Sequence, residues 1–268
     1  MRRSRNLRER IRRLFFDRRY GKQTILIYTM GKVGSSTVQH NLHRQYPEAT
    51  SFHVHFLSDY WLREKLPAED PFFHSNIREA EVVLDFLRQH KDRRLKIITL
   101  VREPLVRDIS DIFQNWKGRL KDKTITDLSF EELKNGFNSD NHEYTLSWFD
   151  TEFRNYLGFD IYAQPFDKEK GYSIYHTPSA DILCLQLEKL NDCLPQATQE
   201  LLGYAIRPER SANLSEEKEG SELYKEMTGR YAAPEEKLDR VYGSKFMRHF
   251  YSEEDIRRFR RKWERVTS

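Results

Sequence analysis

Apolar positions along the chain recur with two different spacings. Thr24–Thr29 is a short, almost unbroken apolar run, and its length and composition predict a buried strand. Ser35 to about Tyr46 spaces its apolar residues as a helix does and stops before Pro47. Ser51–Leu57 returns to strand content, and Leu95–Val101 does so again. In between, Ile77–His90 sets Ile77, Ala80, Val83, Leu84 and Leu87 on one helical face. Strand, helix, strand, helix, strand predicts an α/β fold, with a central parallel sheet, right-handed crossovers and flanking helices. In such a sheet ligands bind beyond the carboxyl ends of the strands.

Later segments carry weaker patterns. Ser58–Ser75 is polar and contains proline, and reads as a loop over a site or across the surface. Pro104–Tyr156 is helical in pattern, broken near Lys121–Asp127. Phe159–Tyr175 is aromatic and turn-rich, with strand character. Ala180–Leu187 predicts a further buried strand, with a helix near Gln196–Leu202. Arg207–Gly220 is charged and poorly periodic, and reads as a loop. Ser252–Val266 predicts a basic amphipathic helix with Ser252 as its N-cap and acids in its first turn.

Composition narrows the class. A chain of 268 residues suits one large domain or two small ones. The expected organisation is a basic arm over 1–22 and a single α/β domain over 23–268. With 17 Phe, 14 Tyr and 4 Trp the chain is too aromatic to be disordered. Two cysteines, Cys184 and Cys193, supply no disulfide framework, and Cys184 reads as a small core residue. A reducing, cytoplasmic compartment is the expectation. No stretch approaches the roughly 20 apolar residues of a membrane span, and the basic start lacks the apolar region of a secretory signal.

Charge is unevenly distributed. Residues 1–22 carry ten Arg and Lys against Glu9 and Asp17, a balance of +8 within a net +4, so the remainder is mildly acidic at −4. Leu7, Ile11, Leu14 and Phe15 recur there at helical spacing. Two readings stand side by side: a basic amphipathic helix making peripheral contact with an anionic membrane, or a solvated arm packing its apolar residues on the body. Nucleic-acid binding is not expected, because the body is acidic and lacks an aromatic-basic platform.

The first chemical motif follows the first strand. Residues 25–37 read Ile-Leu-Ile-Tyr-Thr-Met-Gly-Lys-Val-Gly-Ser-Ser-Thr. Gly31 and Gly34 allow a tight turn and a close approach of backbone to ligand. Free amides at the start of the next helix favour an anion. Lys32 adds a point charge, and Ser35, Ser36 and Thr37 add donors. The Walker A loop places its lysine after the second glycine, whereas here the order is K-x-G-[ST]-[ST]. The second motif follows the third strand. Residues 101–115 read Val-Arg-Glu-Pro-Leu-Val-Arg-Asp-Ile-Ser-Asp-Ile-Phe-Gln-Asn. Pro104 suits a first helical turn. Arg102 before that helix and Ser110 within it can meet one phosphate through a fork and a hydroxyl.

The first loop resembles the 5′-phosphosulfate loop of sulfotransferases, which use 3′-phosphoadenosine-5′-phosphosulfate (PAPS). The run R-x-P-x-x-R-x-x-S resembles their 3′-phosphate motif. His53-Val-His55 is similar to the histidine segment of uronyl 2-O-sulfotransferases. Trp148–Phe153 and Tyr162–Tyr172 resemble bacterial capsular polysaccharide synthesis proteins, a sulfotransferase-like group, and Phe250–Trp263 resembles the terminal helix seen there. The resemblance covers roughly residues 22–265. It implies a P-loop-like three-layer sandwich with a central parallel sheet (the sulfotransferase fold) and sulfuryl transfer from PAPS to a carbohydrate hydroxyl. It implies that Lys32, Val33, Gly34, Ser35, Ser36 and Thr37 hold the 5′-phosphosulfate. Arg102 and Ser110 would hold the 3′-phosphate, and adenosine 3′,5′-bisphosphate would leave without help from a metal.

A base is expected near the end of the second strand. His53 and His55 lie two apart, so they share a strand face, and histidine titrates in a suitable range. His55 is preferred because it lies nearer the strand's carboxyl end. Glu64 and Glu152 are alternatives, although a surface carboxylate is the commoner meaning of either. His74, His142 and His176 lie in polar loops and read as solvated. Lys168, Lys170, Arg154 and Tyr172 read either as contacts to an anionic or sugar acceptor or as charged surface. Two rival functions remain: a P-loop-type kinase or nucleotide phosphotransferase, and a non-catalytic sulfotransferase-like module binding polyanions or membranes.

Overall fold

The structure is a computed structural model that describes residues 12–20, 23–65, 74–91, 93–119, 124–209 and 220–264. The described chain forms two compact units that interleave along the sequence. The first draws on residues 1–57, 76–101 and 169–212, and the second on 58–75, 102–168 and 213–268.

The first unit is α/β. Its five-stranded sheet joins β1 (Thr24–Tyr28), β2 (Thr50–Val54), β3 (Leu95–Val101), β4 (Tyr172–His176) and β5 (Ala180–Gln186) in the order β2-β1-β3-β5-β4. Four strands run parallel, and β4 closes one edge antiparallel to β5, with Tyr172 opposite Leu185. All residues of β1 and of β5 are buried. Covered on both faces, such strands read as continuous apolar runs, which is why these two were visible in the sequence. Helices flank the sheet: α1 over 12–20, α2 (Ser35–Gln45), α3 (His74–Gln89) and, later in the chain, Leu190–Leu202.

One residue past β1 decides where the first loop begins. Thr29 N–H donates to Val54 O (3.2 Å), on the β2 side. Its hydroxyl donates to Leu100 O (3.1 Å) and accepts from Leu100 N–H (3.0 Å), on the β3 side. The strand end is thus tied to both neighbours where the chain turns into the loop.

The second unit is helical. It contains α4 (Pro104–Arg119), α5 (Phe130–Ser139), α6 (Glu143–Trp148) and a π-helical segment (Phe149–Tyr156). The helices α8 (Ser221–Arg230), α9 (Glu235–Tyr242), α10 (Lys245–Phe250) and α11 (Glu253–Trp263) follow, Leu190–Leu202 in the first unit being α7. Trp148, Phe149, Phe153, Phe246 and Phe250 are all fully buried and pack ring on ring, with Phe149 5.2 Å from Phe250. Ser252 caps α11 as its sequence predicts, accepting from Asp255 N–H at 3.1 Å.

Several boundaries differ from the sequence reading. β2 ends at Val54, so His55–Leu57 lie beyond the strand. The predicted helical stretch Pro104–Tyr156 divides into α4, α5, α6 and the π-helical segment, and of Phe159–Tyr175 only the end, from Tyr172, is strand, running on to His176. α7 starts at Leu190, not near Gln196, because Pro195 sits inside it rather than ending it. The helices over 221–250 were not anticipated. Parts of the expected segments 1–22, Ser58–Ser75, Lys121–Asp127 and Arg207–Gly220 lie outside the described residues.

Candidate functional site

In the first loop the backbone does unusual work. Lys32 (φ 68°) and Gly34 (φ 84°) both adopt the left-handed conformation, with Val33 fully buried between them. Holding a non-glycine residue there costs about 1–2 kcal/mol, and such strain gathers at functional sites. Gly34 is the N-cap of α2 and has no side chain to offer the first turn. Thr37 N–H and Val38 N–H turn back to Gly34 O, at 3.1 and 3.4 Å, so the amides of Ser35 and Ser36 have no acceptor within the helix. A Cβ at Gly34 would stand 2.4 Å from Leu187 Cδ1. Glycine is therefore required twice over, by the positive φ and by the packing. Two amides and the positive end of the α2 dipole, three positions after Lys32, favour an anion at the start of this helix.

The two histidines have different settings. His53 Nδ1 faces Gln39 Oε1 at 3.0 Å, which can only accept, so Nδ1 carries the proton. His53 Nε2 then accepts from the Ser35 hydroxyl, also at 3.0 Å. Burial and the neighbouring His55 push the His53 pKa down to about 3, which keeps the ring neutral. Both of its nitrogens are engaged, and its effect falls on Ser35. His55 lies just past β2, with its ring edge-on to His53 at 4.8 Å. Its Nδ1 faces Thr29 O at 2.7 Å and must donate there. Gln39 was not singled out in the sequence. It lies four residues after Ser35, one turn along α2, and that spacing was the available signal.

The second motif forms a compact group in the helical unit. Arg102 Nη1 donates to Ser110 Oγ (3.0 Å), and Ser110 donates to Val106 O one turn back (2.8 Å). Tyr224 OH lies 3.3 Å from the same hydroxyl. Tyr224 comes from a helix that the sequence did not reveal. Glu103 was also missed. Fully buried, it accepts from Leu105 N–H (3.0 Å), Val106 N–H (2.7 Å) and Tyr242 OH (2.7 Å). The start of α4 already holds a carboxylate, so any anion at this motif must be held by side chains rather than by helix amides.

Other candidates serve structure. Arg107 is buried against Asp108, Asp111 and Thr145, with its guanidinium 4.4 Å from the Tyr144 ring. Glu152 is not a surface carboxylate: it is fully buried and accepts from Ser58 N–H and Ser58 Oγ. His142 is not solvated either. Its Nδ1 bonds to Asp108, and its Nε2 accepts from Lys237 Nζ at 2.7 Å. Tyr172 is buried, with its hydroxyl on Glu200 (2.9 Å), and Lys168 donates to Arg248 O (2.7 Å). Cys184 and Cys193 are free and buried, and burial pushes both thiols up. A groove of about 1010 Å³, with Tyr20, Gln23, Tyr46, Tyr204 and Arg207 in its walls, lies beside the start of β1. That is the opposite end of the strand from the loop.

Residues 121–252, just under half of the chain, match the family model NKWYS, described as "Putative capsular polysaccharide synthesis protein". The match includes Trp148–Phe153 and Tyr162–Tyr172 and begins after both anion motifs. No curated protein and no solved structure matches the chain.

Proposed function

We propose that this protein is a PAPS-dependent sulfotransferase acting on a hydroxyl of a carbohydrate, with a P-loop-like fold. The reading is carried by the loop after β1, where Lys32 and Gly34 both adopt the left-handed conformation and Gly34 opens α2. The similarity of residues 121–252 to a capsular polysaccharide family favours a carbohydrate acceptor. When bound, PAPS supplies the sulfuryl group and a phosphate leaving group. Lys32 and the Ser35 and Ser36 amides would hold the 5′-phosphate and offset negative charge on its bridging oxygen. His55 would take the proton of the acceptor hydroxyl. His53 positions Ser35 and has no free lone pair for the proton. Arg102, which follows the last residue of β3, holds the 3′-phosphate with Ser110.

Calorimetric titration tests the reading. Adenosine 3′,5′-bisphosphate should bind without metal, Mg·ATP should not compete, and Lys32→Ala should abolish binding with the fold kept. Binding of Mg·ATP alone would favour a kinase, and binding of neither would favour a non-catalytic module.

A further inference from the structure

Helix α1 packs on the first unit through one face only. Phe16 and Tyr20, four residues apart, meet Tyr204 at ring distances of 5.5 and 4.8 Å, and Tyr46 closes the cluster 4.2 Å from Tyr204. Leu14 and Phe15 belong to the apolar series seen in the sequence, and the body covers neither. They are 67% and 65% exposed, the most exposed large apolar side chains among the described residues. Of the two readings of the arm, packing on the body is met by Phe16 and Tyr20, not by Leu14 and Phe15. At helical spacing Arg12, Arg18 and Arg19 lie three or four positions from Leu14 or Phe15 and flank the pair, and all three are exposed. Of the three, Arg12 stands at the outer limit of an ion pair, 3.9 Å from Glu48.

An exposed apolar pair inside a ring of arginines is complementary to a bilayer with anionic headgroups, where the apolar tips enter the acyl boundary and the guanidiniums stay among phosphates. We propose that this face of α1 docks the protein on an anionic membrane surface. The contact is peripheral; no helix among the described residues is long and apolar enough to cross a membrane. The topology also sets an orientation for the first unit. Tyr46 follows the end of α2 and Tyr204 the end of α7, and Gln23, next before β1, donates to Leu202 O at 3.0 Å. The docking helix therefore sits where β1 begins. The loop at Gly31–Ser36 lies at the other end, about 16 Å away along a five-residue strand. A docked protein presents its phosphate loop away from the lipid. This inference stands apart from the sulfotransferase reading, because it uses none of the same residues.

The full chain is sedimented with vesicles of phosphatidylcholine alone and of phosphatidylcholine with about one third phosphatidylglycerol. Binding is expected only to the anionic vesicles. Leu14→Ala with Phe15→Ala, which keeps every arginine, should bind about tenfold or more weakly. Absent binding, equal binding to neutral vesicles, or undiminished binding of the double variant would each overturn the proposal. So would light scattering in which the wild type is a dimer and the double variant a monomer, which would make the face an interface between copies. A Phe15→Trp chain gives a second readout. Its emission should be quenched by brominated phosphatidylglycerol beyond the quenching of the unsubstituted chain, and no added quenching overturns the docking.

Discussion

His53 donates to Gln39 and accepts from Ser35, and its pKa stands at about 3 against an ordinary 6.5 because it is buried and faces His55. The folded value is the lower one, so the unfolded chain takes up the proton first as pH falls. Stability due to the neutral ring is whole above pH 6.5 and is lost progressively toward pH 3. His53→Gln should therefore flatten the fall of Tm between pH 6.5 and 4. His249, pushed down to about 4 mainly by burial, titrates in both chains and cancels in the difference. Parallel curves over that window would show that His53 is not held neutral. At this scale the sequence disclosed what lies within a few positions, namely the order Lys32-x-Gly34-Ser35-Ser36. It did not disclose Leu187, whose closeness to Gly34 comes from packing across more than 150 positions.

Secondary elements were legible where burial on both faces made them uniform. The boundaries of β3 follow from sequence alone, and those of β1 to within one residue. In the second unit α6, α9 and α10 have six to eight residues each, and 3₁₀ and π segments interrupt the helices, so apolar periodicity there has few turns in which to show itself. Besides the aromatic cluster, a polar, long-range network ties them together. Asp108 on α4 accepts from Arg107, from Thr145 on α6 (2.5 Å) and from His142 just before α6. Lys237 on α9 completes the chain through His142 and also donates to Phe137 O and Asp140 O, both at 2.7 Å. Burial alone would raise the Asp108 pKa, but Arg107 and His142 hold it down at about 2. Asp108→Ala would take one of two carboxylates from a buried guanidinium and leave a buried imidazole N–H without its acceptor, and should cost about 3–5 kcal/mol in urea unfolding. A loss under about 1 kcal/mol would mean that the network adds no stability.

Over the whole chain, the functional reading and the family match come from different stretches. The anion motifs end at Ser110 and the matched residues begin at 121. They are therefore independent, and a ligand carrying two phosphates tests the motifs without reference to the family. Adenosine 3′,5′-bisphosphate at a hundred times its Kd should stabilise the protein by about 2.7 kcal/mol, a rise in Tm of about 5–10 °C for a chain of this size. Adenosine 5′-monophosphate engages only the Lys32 loop and should need a higher concentration for the same rise. The decisive comparison is Arg102→Ala. It should weaken the bisphosphate by about 2–5 kcal/mol, as when one member of a buried charge pair is removed, while leaving the monophosphate response unchanged, because the loop after β1 is intact. If both ligands weaken equally, Arg102 supports the fold rather than the 3′-phosphate. If neither weakens, the group of Arg102, Ser110 and Tyr224 binds no phosphate, and the loop after β1 recognises a ligand with a single anionic end.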